Sequence, residues 1–130
     1  MKISRIIVEF NSTNLALTRD FYGGLLGLKI DMEDGAFMML SSPTAPNSQI
    51  VVNDNGHSGL PPGFAIDVGN SEDVSTLHNQ CRQRGLVIVE PLDDKAWGIR
   101  RFSVIDPNGV RVTFIGHLGN NLGETNANSQ

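Results

Sequence analysis

The side chains best suited to chemistry lie in a predicted hairpin near the end of the chain. Its sequence, WGIRRFSVIDPNGVRVTFI, starts at Trp97 and reads as a strand, a tight turn and a second strand. Arg101 and Arg111 offer guanidinium groups that could pair with a ligand carboxylate or with Glu9, or else form a solvated strand edge. Thr113 adds a hydroxyl to the same hairpin. Trp97 either stacks on a planar ligand or anchors the strand edge in the core.

Acidic residues and histidines supply the other candidates. Glu9 and Asp67 occupy equivalent positions in two strands, where each would bind a cationic ligand group or satisfy a local hydrogen bond. Glu9 is also a candidate general base if it is desolvated. The three histidines, His57, His78 and His117, are scattered along the chain, and their spacing does not indicate a metal-binding cluster. No motif for a nucleophile elbow or a phosphate-binding loop is present.

Composition narrows the classes of function. The chain has 130 residues and a net charge of −4, which does not favour nucleic acid as a partner. No apolar run approaches the length of about 20 residues that a membrane span needs. The single cysteine, Cys81, excludes an internal disulfide and predicts a reducing compartment. Without a signal-peptide pattern, we expect a cytoplasmic protein with no membrane partner.

Two halves of the chain repeat the same order of elements. Gly27 opens the sequence GLKI and Gly85 opens GLVI, which places the two matches 58 residues apart. Each glycine follows a predicted helix and precedes alternating strand patterns. The pattern predicts an α+β fold of two β-α-β-β-β modules within one domain, 1–117. Its parts are module one (3–54), a Gly/Pro-rich linker (55–62), module two (63–117) and a polar, disordered tail (118–130).

A pocket follows from this architecture. Each module covers one sheet face with its own helix, so we expect a curved mixed sheet, or cup, with the helices outside and a concave binding face. In module one, the residues expected toward the helix are Ile6, Val8 and Phe10, and those toward the pocket include Ile7 and Glu9. Phe37 and Met39 share a strand face that either lines an apolar pocket wall or packs in the core.

The duplicated module also carries FYGGLLGL from Phe21, and WG at Trp97 followed by DPNG at Asp106. With these elements the chain resembles the vicinal oxygen chelate superfamily, and within it the glyoxalase and bleomycin-resistance type proteins. The resemblance implies a homodimer. Enzymes of that superfamily hold a divalent metal through His, Gln or Glu at four strand positions. Here those positions fall at about Ile7, Val52, Gly63 and Thr113.

None of these four residues is a good ligand for a divalent metal. We therefore expect a metal-free homodimer without a cofactor that binds a small molecule, such as an antibiotic or an aromatic or cationic compound, as bleomycin-resistance proteins do. The predicted ligand contacts are Ile7, Glu9, Phe37, Met39, Trp97, Arg101, Arg111 and Thr113. The alternatives are a lyase, isomerase or dioxygenase-like enzyme of the glyoxalase type with a diverged site, or a subunit whose cup packs against a partner.

Overall fold

The repeated pattern of the sequence becomes two compact units in the computed structural model, which describes residues 1–54 and 61–119. The first unit, Arg5–Ala65, contains module one. The second begins at Ile66, contains most of module two, and includes Met1–Ser4. The backbone amide of Ser4 donates a hydrogen bond to the carbonyl of Asp67 (2.7 Å), which ties the first residues to the second unit. Most of the predicted linker and tail, at 55–60 and 120–130, lies outside the described residues.

Module one is a four-stranded mixed sheet with helical turns between its first two strands. Its strand order is β2-β3-β4-β1, with β1 parallel to β4 and the other neighbours antiparallel. The Asn14 side chain accepts a hydrogen bond from the Leu17 amide (3.0 Å) and so caps the first helix. The elements are β1 (Arg5–Ser12), α1 (Leu15–Arg19), a π-helical segment (Asp20–Leu25), β2 (Lys29–Glu33), β3 (Phe37–Ser42) and β4 (Ala45–Asp54).

The first helix differs in detail from the prediction of one regular helix that ends at Gly27. Only α1 is α-helical, and the segment after it widens to π-helical turns. Gly23 and Gly24 lie in that segment, and glycine has a low preference for the α-helix. Gly27 then takes a φ of 78°, the left-handed conformation expected of a residue that ends a helix.

Module two repeats the order with a longer helix. Its strand order is β5-β8-β7-β6, and the Asn70 side chain caps the helix by accepting from the Asp73 amide (2.9 Å). Gly85 follows the helix at a φ of 72°. The predicted α+β class with two β-α-β-β-β modules is thereby confirmed. The elements are β5 (Gly63–Asn70), α2 (Ser71–Gln83), β6 (Ile88–Lys95), β7 (Ile99–Ile105) and β8 (Arg111–His117).

The core of module one lies between its sheet and its helical turns. Met38, Leu40 and Val52 are fully buried there, with Phe10 and Tyr22 packed against them. Ile6 and Val8 share the strand face of Phe10, but they are 55% and 50% exposed. The prediction that the helix covers them is therefore wrong. The helical turns reach Phe10 through Tyr22, at a ring-centroid distance of 5.9 Å, and leave the start of β1 uncovered.

The core of module two lies between β7, β8 and α2. Phe102 is fully buried, and its ring meets His78 of α2 edge to face at 5.0 Å. Cys81 is buried on the same helix, and this burial, against the opposing effect of Arg84, raises the pKa of its thiol. None of the helices within the described residues is long and apolar enough to cross a bilayer.

Candidate functional site

The sheet face opposite α2, here called the helix-distal face of module two, carries a cluster of polar side chains. Residues paired across neighbouring strands point to the same face. Ser103 pairs with Thr113 across β7 and β8, and Glu90 of β6 pairs with Ser103. Phe102 points the other way, toward α2. The pairing therefore places Glu90, Ser103 and Thr113 together.

Glu90 is the centre of this cluster, and within residues 1–54 and 61–119 all of its side-chain hydrogen bonds go to one carboxylate oxygen. Its Oε1 accepts from Ser103 Oγ at 2.5 Å, from Arg101 Nη2 at 3.0 Å and from Arg111 Nη1 at 3.5 Å. Arg111 Nη1 also donates to Thr113 Oγ1 at 3.2 Å, and the Ser103 and Thr113 hydroxyls lie 2.7 Å apart. We call these five residues, Glu90, Arg101, Ser103, Arg111 and Thr113, the Glu90 cluster.

The electrostatics of the cluster keep Glu90 ionised. Burial by itself would raise the pKa of the Glu90 carboxyl. The hydrogen bond from Ser103 and the positive charges of Arg101 and Arg111 outweigh that effect, and the pKa is lowered. Two guanidinium groups thus contact one carboxylate oxygen within the cluster.

The structure brings Arg101, Arg111 and Thr113 together, as three of the eight predicted ligand contacts. Arg111 is 5% exposed and Thr113 is fully buried, so the solvated-edge alternative does not describe Arg111. Arg100, their neighbour in the predicted hairpin, lies on the other face. It pairs with Asp94 (2.6 Å) and with Ser75 of α2 (2.9 Å), and these groups line a cleft of about 470 Å³.

Sequence reasoning missed Glu90. In the sequence, Glu90 is a lone acidic residue in the strand pattern VIVEP. This pattern does not show which residues of the neighbouring strand Glu90 contacts. Pairing of β6 with β7 is interrupted by two register shifts, on either side of Glu90. Counting by alternation from one end of the strand therefore does not place Glu90 opposite Ser103.

Four more of the predicted contacts lie in module one. Glu9 pairs with Val51, and Val51 pairs with Met39, so these three share one face. By the same alternation, Ile7 and Phe37 lie on that face too. Ile7 and Glu9 are buried, at 3% and 8% exposure. The structure thus groups these residues as predicted, and their contact with a ligand stays a prediction.

One of the positions that the resemblance gives to a metal needs correction. Val52 pairs with Phe10 and lies in the helix-facing core of module one, so Val51 is the β4 residue on the face of Ile7.

The corrected position fits a divalent metal no better than the original one. Neither Val51 nor Gly63 has a ligand atom in its side chain. Thr113 accepts from a guanidinium group, whose charge repels a cation. Among residues 1–54 and 61–119, no group of three His, Cys, Asp or Glu side chains could hold a metal ion.

Trp97 and the histidines, which are the remaining candidates, lie at separate places in the chain. Trp97 lies in the turn between β6 and β7 and is 62% exposed, so it does not anchor the core. His117 is exposed and lies 3.3 Å from the carboxylate of Asp67. Asp67 is buried and also accepts from the Gly69 amide (2.9 Å). His78 packs on Phe102, and His57 lies outside the described residues.

Comparisons with known proteins agree with this architecture. The sequence model of the Glyoxalase/Bleomycin resistance protein/Dioxygenase superfamily matches residues 6–114. No curated protein matches the chain significantly.

Several solved structures have a similar fold. An NAD-dependent benzaldehyde dehydrogenase from Legionella pneumophila is 20% identical with a TM-score of 0.70, over 86% of this chain and 98% of that chain. A glyoxalase/bleomycin resistance protein/dioxygenase superfamily member from Vibrio splendidus 12B01 is 18% identical with a TM-score of 0.68, over 86% and 97%. An extradiol ring-cleaving dioxygenase from B. fuscum is 27% identical with a TM-score of 0.68, over 89% of this chain but only 33% of its own.

Proposed function

Because the chain belongs to the glyoxalase/bleomycin resistance protein/dioxygenase superfamily, we propose that it is a small-molecule-binding protein of the bleomycin-resistance type that uses no divalent metal. The binding site is the Glu90 cluster on the helix-distal face of module two. The observation that carries this proposal is the convergence of two guanidinium groups and a hydroxyl on one oxygen of Glu90. Such a charged, partly buried cluster is typical of sites that orient a polar ligand.

The exposure of the cluster indicates which groups a ligand would meet. The side chains of Arg101 and Glu90 are 21% and 30% exposed, whereas that of Arg111 is 6% exposed. A ligand would therefore contact Arg101 and Glu90, while Arg111 holds Glu90 in place from beneath.

The chemistry of the ligand follows from the atoms that remain available. Every side-chain hydrogen bond that Glu90 makes within the described residues uses Oε1, so Oε2 can accept from a ligand ammonium or hydroxyl group. Arg101 uses only Nη2 there, so its other donors can reach a ligand oxygen. The site thus suits a compound with a hydrogen-bond donor beside an acceptor.

A metal-dependent lyase, isomerase or dioxygenase-like enzyme is the alternative. It would need a cation near Thr113, where Arg111 already donates to the hydroxyl at 3.2 Å. Placing a divalent ion beside a guanidinium is unfavourable by several kcal/mol at the effective dielectric of a protein. The donor set of this chain therefore supports binding without a metal rather than metal-dependent catalysis.

The test begins with elemental analysis of the purified protein and a thermal-shift screen of aminated and hydroxylated aromatic compounds in EDTA. Titration calorimetry then measures the affinity for each compound that stabilises the protein. We expect binding that EDTA does not change, and affinity at least about tenfold weaker in Glu90→Gln, because that variant replaces a charge-assisted hydrogen bond by a neutral one. Glu72→Gln, an exposed substitution on α2, is the matched control.

Two outcomes would contradict the proposal. One tightly held metal per chain, with ligand binding abolished by EDTA, would favour the enzyme. Unchanged affinity in a folded Glu90→Gln variant would place the ligand elsewhere.

A further inference from the structure

A histidine and an aspartate of module two lie together at the end of β8. His117 Nε2 is 3.3 Å from Asp67 Oδ2. The histidine side chain is 54% exposed, whereas the aspartate side chain is only 3% exposed. Asp67 is held at two further points, because its Oδ1 accepts from the Gly69 amide at 2.9 Å and its backbone carbonyl accepts from the Ser4 amide at 2.7 Å. A firmly held, buried carboxylate therefore orients an exposed imidazole.

This pairing determines which nitrogen of His117 can take up a proton. A carboxylate only accepts hydrogen bonds, so the neutral ring donates from Nε2 and keeps a lone pair on Nδ1. Among residues 1–54 and 61–119, Asp67 is the sole hydrogen-bond partner of the His117 ring. When Nδ1 takes up a proton, the carboxylate stabilises the imidazolium that forms. A histidine oriented in this way is suited to general-base catalysis.

The strand pairing places a cationic donor within reach of the same small molecule. Thr113, Ile115 and His117 alternate along β8, so all three lie on the helix-distal face. Arg101 pairs with Ile115, which makes Arg101 and His117 diagonal neighbours on that face, at a distance of about 7–8 Å. Within the described residues, Arg101 uses only Nη2, in its bond to Glu90. Its other donors can bind an oxygen of a molecule that also contacts the histidine.

Apolar side chains lie beside this histidine. Ile99 pairs with His117 across β7 and β8. The Leu118 amide donates to the Gly98 carbonyl at 3.0 Å, which fastens the turn that carries Trp97 next to the end of β8. The indole of that turn is exposed and offers a flat surface to an aromatic ring. These groups favour a substrate with an apolar or aromatic part.

The exposure of His117 indicates what it deprotonates. Water reaches an imidazole on the surface, whereas removal of a proton from carbon is favoured by a site that is closed to water. No hydroxyl or thiol side chain within the described residues forms a hydrogen bond with the His117 ring. Because a side-chain nucleophile would need that contact with its base, water is the nucleophile that this arrangement suits.

We propose that His117, positioned by Asp67, hydrolyses small neutral carboxylic esters. His117 Nδ1 removes a proton from water while the water oxygen bonds to the acyl carbon, and Arg101 donates to the carbonyl oxygen that becomes negative. The bond from the acyl carbon to the alcohol oxygen then breaks, and the alkoxide takes the proton from Nδ1. Ester and water thus give an acid and an alcohol. This activity goes beyond the proposed binding function and shares only Arg101 with its site.

Hydrolysis of p-nitrophenyl acetate by the full chain in EDTA tests this activity. We expect His117→Gln to lower kcat/KM by at least about a hundredfold, because it removes the general base. Asp67→Asn keeps an acceptor for the Gly69 amide but does not stabilise the imidazolium. It should therefore lower kcat by at least about tenfold and leave KM unchanged.

An exposed histidine can also attack this ester directly, so the experiment needs a control histidine. The double variant His117→Gln, Gln80→His places one on the exposed side of α2, where its helical neighbours Thr76 and Arg84 are not acidic. We expect this variant to be as inactive as His117→Gln. A general base also predicts slower hydrolysis in D₂O and no acetyl group on His117 in peptide mass spectrometry.

Circular dichroism checks that the variants are folded, and the exposed position of His117 keeps the test decisive if Asp67→Asn does not fold. A wild type no faster than free imidazole at the same concentration, or an unchanged rate in His117→Gln, would overturn the inference. So would an acetylated His117, which is the product of a reactive surface histidine. The calorimetric affinities that test the ligand site do not enter this experiment, so each proposal can fail alone.

Discussion

Ser103 Oγ and Thr113 Oγ1 lie 2.7 Å apart at paired positions of β7 and β8, and the direction of the hydrogen bond between them is fixed by their neighbours. Glu90 is ionised and only accepts, so the Ser103 hydroxyl donates to it. Ser103 must then accept from Thr113, which itself accepts from Arg111. The four residues form one chain of donors that ends on the carboxylate.

The first prediction concerns the coupling of these two hydroxyls. Ser103→Ala and Thr113→Val each leave a buried partner without its hydrogen bond, so each should lower the free energy of unfolding by about 1–3 kcal/mol. The double variant removes both hydroxyls and should lose less than the sum, with a coupling of about 0.5–1.5 kcal/mol. Urea unfolding of the wild type, the two single variants and the double variant measures this coupling. Strictly additive losses of unfolding free energy would show that the hydroxyls do not interact.

The second prediction concerns the pH dependence of Glu90. Its pKa in the folded protein is lowered, so the ionised carboxylate stabilises the fold above the unfolded pKa of about 4.3. This contribution is lost as the pH falls through the lower, folded pKa. Glu90→Gln should therefore lower the free energy of unfolding at neutral pH, by about 1–3 kcal/mol, and by progressively less in acid.

Urea unfolding of wild type and Glu90→Gln at a series of pH values checks this prediction. Taking the difference between the two proteins removes the effect of the other carboxyls whose pKa values are lowered, at Asp93, Asp94 and Asp106. If the difference in the free energy of unfolding between the two proteins stays constant from neutral pH to about pH 3, Arg101 and Arg111 do not lower the pKa of Glu90.

Much of the fold follows from local patterns in the sequence. Gly27 and Gly85 end the two helices in the left-handed conformation that only glycine adopts easily. The alternation of apolar residues correctly placed Phe37 on the face of Met39. These features depend on neighbours within one element, which the sequence displays directly.

The features that were not predicted depend on contacts between different elements. Alternation shows that Ile6 and Val8 share a face with Phe10, but not that the helical turns end short of them. It likewise cannot find Glu90, because the register of β6 against β7 shifts on both sides of it. The predicted ligand contacts therefore include Arg101 and Arg111 but not the carboxylate that they surround.

The third prediction tests the contact between β8 and α2. A Cβ at Gly116 would clash with the backbone of Asn70, the residue that caps α2, and would lie 2.7 Å from Val74 Cγ2. Backbone cannot move aside easily, so Gly116→Ala should cost at least about 1–3 kcal/mol, as overpacking does. Gly24→Ala is the control, since nothing lies within 4 Å of a Cβ there. Thermal unfolding compares them, and an equal effect of both would contradict the close packing of β8 on α2.

The last prediction uses Trp97, the only tryptophan of the chain. It is 62% exposed in the turn between β6 and β7. Acrylamide should therefore quench the fluorescence of the folded protein nearly as strongly as that of the protein unfolded in urea. A compound from the thermal-shift screen that stacks on the indole should shift the emission to the blue and protect it from quenching. If a compound protects the indole from acrylamide but binds the Trp97→Ala variant with unchanged affinity, Trp97 lies near the bound compound without contributing to its affinity. An indole already protected in the free protein would contradict the exposed position of Trp97.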